Sequence, residues 1–286
     1  MSARRAIAGI ALSLLASMAL WPAAAQAQVI LLERPGGVSL DIAREQHMGE
    51  EVLASLLVGE PLWLVADVPV VNAAPFKRRF LGLLAEPPVP ARANATAFLL
   101  LHGVGTNPDH GVVGVLRQRL AEAGDATLSI QLPVLDWAAT SDEYYPIAYP
   151  EAKARIGVAW NWLQQRGYRR LVLLSYGLGS RMANYWLTEP LPNAAATTTP
   201  SSPAAWITVS HWGQYWNAER LRVPMLDVVA QIDVMQALAG APSRGALLAG
   251  RPGSRQATLA NADAEYNGQE ARLLALIRGF LDGLPR

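Results

Sequence analysis

Three short stretches carry residues whose types and order suit acyl-transfer chemistry. Ser175-Tyr176-Gly177-Leu178-Gly179-Ser180 follows an apolar run and opens a helical pattern, so it reads as a tight strand-to-helix turn able to hold a nucleophile at its tip. His102-Gly103-Val104-Gly105 follows another apolar run; there, with Leu178 from the first turn, backbone N–H groups can face a developing oxyanion. Asp233 follows a third run, at the place of an acid that orients a histidine. The chemistry then needs its partners in the order nucleophile, acid, histidine. The four histidines are His47, His102, His110 and His211, and none lies beyond Asp233.

The elements that must position these residues are strands alternating with helices. Strand-like runs occur at Ala97 to Leu101, Thr127 to Gln131, Arg170 to Leu174, Ala205 to Val209, Val223 to Val229 and Ala257 to Ala260. Several are almost continuously apolar, which suits strands covered on both faces. Between them, Val113, Leu116 and Leu120 share one helical face, and Ile156, Ala159, Trp160 and Leu163 share another. A last helix is predicted over Gln269 to Leu281, with Leu273, Ile277, Phe280 and Leu281 inward. Such alternation implies an α/β fold with a mostly parallel central sheet and helices on both faces.

Upstream, residues 28–91 are mixed: a turn at Pro35, Gly36 and Gly37, a short helical pattern, then strands over Leu62 to Val71 and Arg79 to Ala85 as an antiparallel pair. Residues 191–203, rich in Ala, Thr, Ser and Pro, read as a flexible surface loop, too short and polar for a lid, so no large cap domain is expected. At 286 residues, one domain over 28–286 suffices.

Arg4 and Arg5, an apolar run from Ala6 to Leu20 and small residues up to Ala27 describe a secretory signal peptide over 1–27. Its removal leaves 22 basic against 23 acidic residues, nearly neutral, which gives no basic face for nucleic acid or an anionic membrane. No later run would span a bilayer. With no cysteine there is no disulfide, thiol nucleophile or thiolate-held metal. A periplasmic or secreted protein without metal or cofactor is expected.

From Ala97 to the C-terminus the chain resembles the α/β-hydrolase superfamily and, more narrowly, an uncharacterised bacterial group of exported α/β-hydrolase-like proteins. The narrower resemblance rests on His102-Gly103, on Leu116, Arg117, Leu120 and Gly124, on Thr127 to Pro133, and on Pro150, Glu151, Ala152, Arg155 and Ile156. Active members of the superfamily read Gly-x-Ser-x-Gly at the turn; laid on that pattern, Ser175 and Gly179 take the small flanking positions and Gly177 the nucleophile's. The bend is kept and the hydroxyl is absent. The resemblance puts Ala264 where histidine would stand, and alanine carries no proton. It therefore implies a pseudo-hydrolase with a degenerate triad at Gly177, Asp233 and Ala264, binding a small ligand or a periplasmic protein.

The alternative is a weak or atypical esterase-type hydrolase using Ser175, or a water, with His211 or Asp233. It sets bulky Leu173 where a small residue is wanted and Ser175 at a strand end, while Ser180 falls inside the next helix. His211 precedes Trp212, a setting that suits a packed structural histidine. His102 suits a turn-shaping role, Asp109 and His110 loop polarity, and Asp263 and Glu265 make no metal set with Asp233. Trp206, Trp212, Tyr215 and Trp216 are expected first as core, with a ligand platform as the alternative.

Overall fold

A strand that is apolar on both faces must be covered on both, and helices crossing between parallel strands supply that cover. The computed structural model, which describes residues 39–70, 73–87, 96–189 and 202–285, follows this rule. The proposed leader, the Pro35–Gly37 turn and all but the last two residues of the 191–203 loop lie outside the described residues. The strands are β1 (Glu60–Val70), β2 (Ala73–Ala85), β3 (Thr96–Leu101), β4 (Ala126–Ile130), β5 (Arg170–Tyr176), β6 (Ala205–Val209), β7 (Met225–Ile232) and β8 (Arg255–Asp263). They form one sheet in the order β1-β2-β4-β3-β5-β6-β7-β8. From β4 to β8 the pairings are parallel; β1 with β2 and β2 with β4 are antiparallel.

The helices are α1 (Ile42–Ser55), α2 (Gly111–Glu122), α3 (Tyr144–Gln165), α4 (Leu178–Thr188), α5 (Met235–Ala249) and α6 (Glu270–Asp282). Val112, Val113, Leu116 and Leu120 of α2 join Leu273, Ile277, Phe280 and Leu281 of α6 in one core against Val172, Leu174, Ile207, Leu226 and Val228 of the sheet. Side chains alternate along a strand, so Ser175, Trp206, Thr208 and Asp227 stand on the opposite face. That face takes α5, whose Arg244 meets Asp227. No inserted cap domain occurs among the described residues.

The expected elements are present, with three differences. β2 starts at Ala73, earlier than predicted, because the two strands extend past the sheet as a long hairpin. β8 runs from Arg255 to Asp263, past the predicted end at Ala260; Asn261, at φ 60°, and a register shift opposite Ala230 and Ile232 break the alternation there. Helix α5 has no counterpart among the predicted elements. Gly240, Pro242 and Gly245 interrupt its apolar pattern, and Gly240 is needed because a Cβ there would collide with the Gly213 carbonyl.

The chain leaves β3 for β4 on one side and later lays β5 on its other side. In open α/β sheets such a reversal leaves a crevice beyond the carboxyl ends of the strands, where ligands bind.

Candidate functional site

Strand register gathers the three chemical stretches at that crevice. Leu101 pairs with Ser175, so His102-Gly103 and Tyr176-Gly177 leave the sheet side by side. Tyr176 pairs with Val209, which brings Ser210 and His211 next, and Ile232 pairs with Asp263, which sets Asp233 beside Ala264.

Gly177 follows β5 and caps α4, which begins at Leu178, with φ 53° and ψ −123°. Its N–H donates to Val209 O at 3.0 Å and its carbonyl accepts from Ser180 N–H at 3.1 Å, so the bend is held on both sides. A side chain in that conformation would carry strain of about 1–3 kcal/mol, which glycine avoids. Space is not the constraint: a Cβ would stand 3.5 Å from Trp212 Nε1 and 3.9 Å from Gly103 Cα. At Gly179 it is, since a Cβ would collide with the His102 carbonyl oxygen.

His102 braces the neighbouring loop. Its Nε2 accepts from Leu132 N–H at 2.9 Å, so Nδ1 carries the proton and donates to Gly103 O at 2.8 Å. Burial holds this imidazole down at about 4, so it is neutral at pH 7. Thr106 Oγ1 donates to the same Gly103 carbonyl at 3.2 Å. Val104 follows Gly103 along the rim, and Leu178 opens α4, where the first amides have no intrahelical acceptor.

Asp233 is taken up by three donors. Its Oδ2 accepts from Ser210 Oγ at 2.6 Å and Ala230 N–H at 3.0 Å, and Oδ1 accepts from Val234 N–H at 2.8 Å. Tyr266 Oη lies 3.1 Å from Ser210 Oγ and 3.2 Å from Val228 O. Ser210 (φ 52°) and Tyr266 (φ 60°) are both non-glycine residues in the left-handed region, so the acid sits among strained backbone. The Ala264 carbonyl accepts from Tyr176 Oη at 3.0 Å, which ties the β8–α6 loop to the turn at Gly177.

No protein-family model matches the sequence. No curated protein matches it either. Solved structures do match. An α/β serine hydrolase without a lid from Xanthomonas campestris aligns at TM-score 0.56 and 15% identity, over 81% of this chain and 98% of that one. Dienelactone hydrolase from Anabaena variabilis aligns at TM-score 0.52 and 16% identity, over 79% and 99%. Thermogutta terrifontis esterase 2, solved phosphorylated by paraoxon, aligns at TM-score 0.57 and 14% identity, over 77% and 93%. The chain has the α/β-hydrolase fold.

Within that fold, neither Ser175 nor His211 stands at the tip of the turn. Ser175 is an interior residue of β5, paired with Leu101 on one side and Thr208 on the other, and fully buried. Its Oγ accepts from Trp206 Nε1 at 2.9 Å and faces Ile207 O at 3.5 Å, on the α5 face rather than the rim. His211 is also fully buried, its ring 4.6 Å from that of Tyr215. Burial, then the Arg244 cation, pushes its imidazole down to about 3. Nε2 lies 3.4 Å from Gln214 O, and Nδ1 has no partner among the described residues.

The four aromatics divide. Trp206 and Tyr215 are core, whereas Trp212 and Trp216 are half-buried at the rim. Sequence reasoning missed the network beneath them. Arg244 Nε meets Asp227 Oδ2 at 2.9 Å, with both side chains wholly buried, while Thr208 Oγ1 and Gln256 Nε2 donate to the same carboxylate at 2.7 and 2.8 Å. Arg244 also donates to Gly213 O at 2.7 Å, fixing the loop that carries His211 and Trp212.

Beside the rim, on the α2 and α6 side, an open cleft of about 440 Å³ is lined by Asp109, His110, Gly111, Val112, Glu265 and Glu270, among others. Glu265 Oε1 accepts from Tyr176 Oη at 3.0 Å. Among the described residues no cluster of three His, Cys, Asp or Glu side chains has metal-ligating geometry, and no helix is long and apolar enough to cross a membrane.

Proposed function

We propose that this chain is an exported, non-hydrolytic protein of the α/β-hydrolase fold, which binds a ligand or protein partner at the carboxyl rim of its sheet. The observation that carries the reading is Gly177: the backbone has the sharp, positive-φ bend that would present a nucleophile, and its tip bears only hydrogen. Ala264 supports it from the other side of the rim, because a methyl group neither takes nor returns a proton. Asp233, with its oxygens engaged by Ser210 and two backbone amides, acts as a brace for the rim. Export rests on the leader-like residues 1–27 and on the resemblance to exported bacterial proteins.

A residual esterase activity is the second reading, and the esterase and dienelactone hydrolase neighbours fit it. It would use Ser175 or a water, with His211 or Asp233 as base. The burial of Ser175 and the depressed proton affinity of His211 weigh against it.

Incubation with a fluorophosphonate, followed by intact mass, separates the two. The proposal expects no adduct and no turnover of 4-nitrophenyl acetate above a Ser175→Ala variant; turnover abolished by that substitution would establish the esterase reading instead.

A further inference from the structure

One cation at the rim stands apart from the others. The buried guanidinium groups of Arg117, Arg155 and Arg244 each hold a carboxylate, from Asp109, Glu45 and Glu151, and Asp227. Arg181, in the first turn of α4 after Gly177, has no acidic or carbonyl partner among the described residues. Its guanidinium instead stacks on Trp216, 4.5 Å from the ring centroid. That stack is held in place: Asn184 accepts from Trp216 N–H at 2.8 Å and donates to Trp216 O at 3.0 Å, a reciprocal clamp from the same helix.

Facing the stack is a second, independent anomaly. Tyr149 is wholly buried, yet its hydroxyl has no partner among the described residues. Buried hydroxyls are almost always bonded, because leaving one bare forfeits its hydration with no return. Tyr149 packs 5.6 Å from Trp216, the ring under the Arg181 guanidinium, and 5.7 Å from Tyr185. Tyr145 closes the group, with centroids 5.6 Å from Tyr149, 5.8 Å from Tyr185 and 5.4 Å from Trp216. Its side remains 49% exposed, so the ring wall opens to solvent.

We propose that Arg181 and Tyr149 hold the head group of an organic carboxylate whose apolar portion lies along the rings of Tyr145, Tyr185 and Trp216. A planar guanidinium fork matches a carboxylate, and Lys153 Nζ, 5.6 Å from the Tyr185 ring centroid, adds positive charge to the same wall. The start of α4 adds its positive dipole end. Aromatic faces suit a flat or aliphatic acid better than a hydrated inorganic anion. This inference rests on the binding reading above and names the ligand class of the same rim.

Titration calorimetry of the purified protein with phenylacetate, phenylacetamide and inorganic phosphate tests it. Phenylacetate should bind about tenfold more tightly than its neutral amide, the scale of one charge-assisted contact, and more tightly than phosphate. Arg181→Gln should lower phenylacetate affinity about tenfold and leave the amide unchanged. Tyr149→Phe should weaken phenylacetate while the unfolding temperature holds or rises, since the hydroxyl it removes has no partner. Equal binding of acid and amide, equal binding of phosphate, or unchanged affinity in Arg181→Gln would overturn the inference. Ester turnover together with the expected phenylacetate binding would defeat only the non-hydrolytic reading. An inert protein that does not discriminate the acid would defeat only this inference.

Discussion

The hydroxyl of Tyr176 lies 3.0 Å from both the Ala264 carbonyl oxygen and Glu265 Oε1, its single proton spanning the two loops that border the candidate site. The Tyr176 ring also packs where a Cβ on Gly103 would stand, at 3.0 Å. Tyr176→Phe keeps that packing and removes the bridge. It should lower unfolding free energy by about 1–2 kcal/mol in denaturant titrations, the scale of one partly buried hydrogen bond. A change within error would mean that the bridge contributes nothing.

The two glycines of the turn should respond differently to alanine. Gly177→Ala meets only ordinary van der Waals contacts but the wrong backbone region, and should cost about 1–3 kcal/mol. Gly179→Ala drives a Cβ into the His102 carbonyl, which cannot move without shifting the β3 loop, so the loss should be larger. Equal, small losses from both would contradict the bend described.

Acid should weaken the fold through two buried imidazoles. His102 and His211 fall from an ordinary 6.5 to about 4 and about 3 in the native protein, so the unfolded chain binds their protons first as pH falls. Their contribution is fully present above about pH 6.5. It declines from there toward about 4 and about 3, by about 1.4 kcal/mol per pH unit for each imidazole. His211→Phe preserves the ring contacts with Trp206 and Tyr215 and removes one titration. The slope of stability between about pH 6.5 and 4.5 should roughly halve in denaturant titrations; an unchanged slope would contradict the assignment.

Arg244→Met would leave the Asp227 carboxylate buried without its cation, a loss of about 3–5 kcal/mol. Asp227→Leu combined with Arg244→Met should cost less than the two single losses together, which a double-mutant cycle measures. Additive losses would mean that the two side chains do not act as a pair.

The sheet was legible in the sequence because its inner strands are covered on both faces: runs such as Ala97–Leu101 and Ala205–Val209 leave few alternatives. Helix α5 was not, since Gly240 serves a close approach to the Gly213 carbonyl and Pro242 lies inside the helix, both at the expense of periodicity. At the site, the bend around Gly177 was readable from the spacing of small residues. The direction of Ser175 was not, because it depends on pairing with Leu101 and Thr208 at long range. The Asp227–Arg244 pair and the grouping of Tyr149, Arg181 and Trp216 join residues from separate elements, and no spacing rule brings them together.

The tip of the turn, at Gly177, carries no nucleophile. The most direct test sets the wild-type protein beside a Gly177→Ser/Ala264→His variant and exposes both to a fluorophosphonate, with adducts located by peptide mass spectrometry. The wild type should stay unlabelled and the variant should be labelled at position 177. An adduct on any serine of the wild-type protein would contradict this.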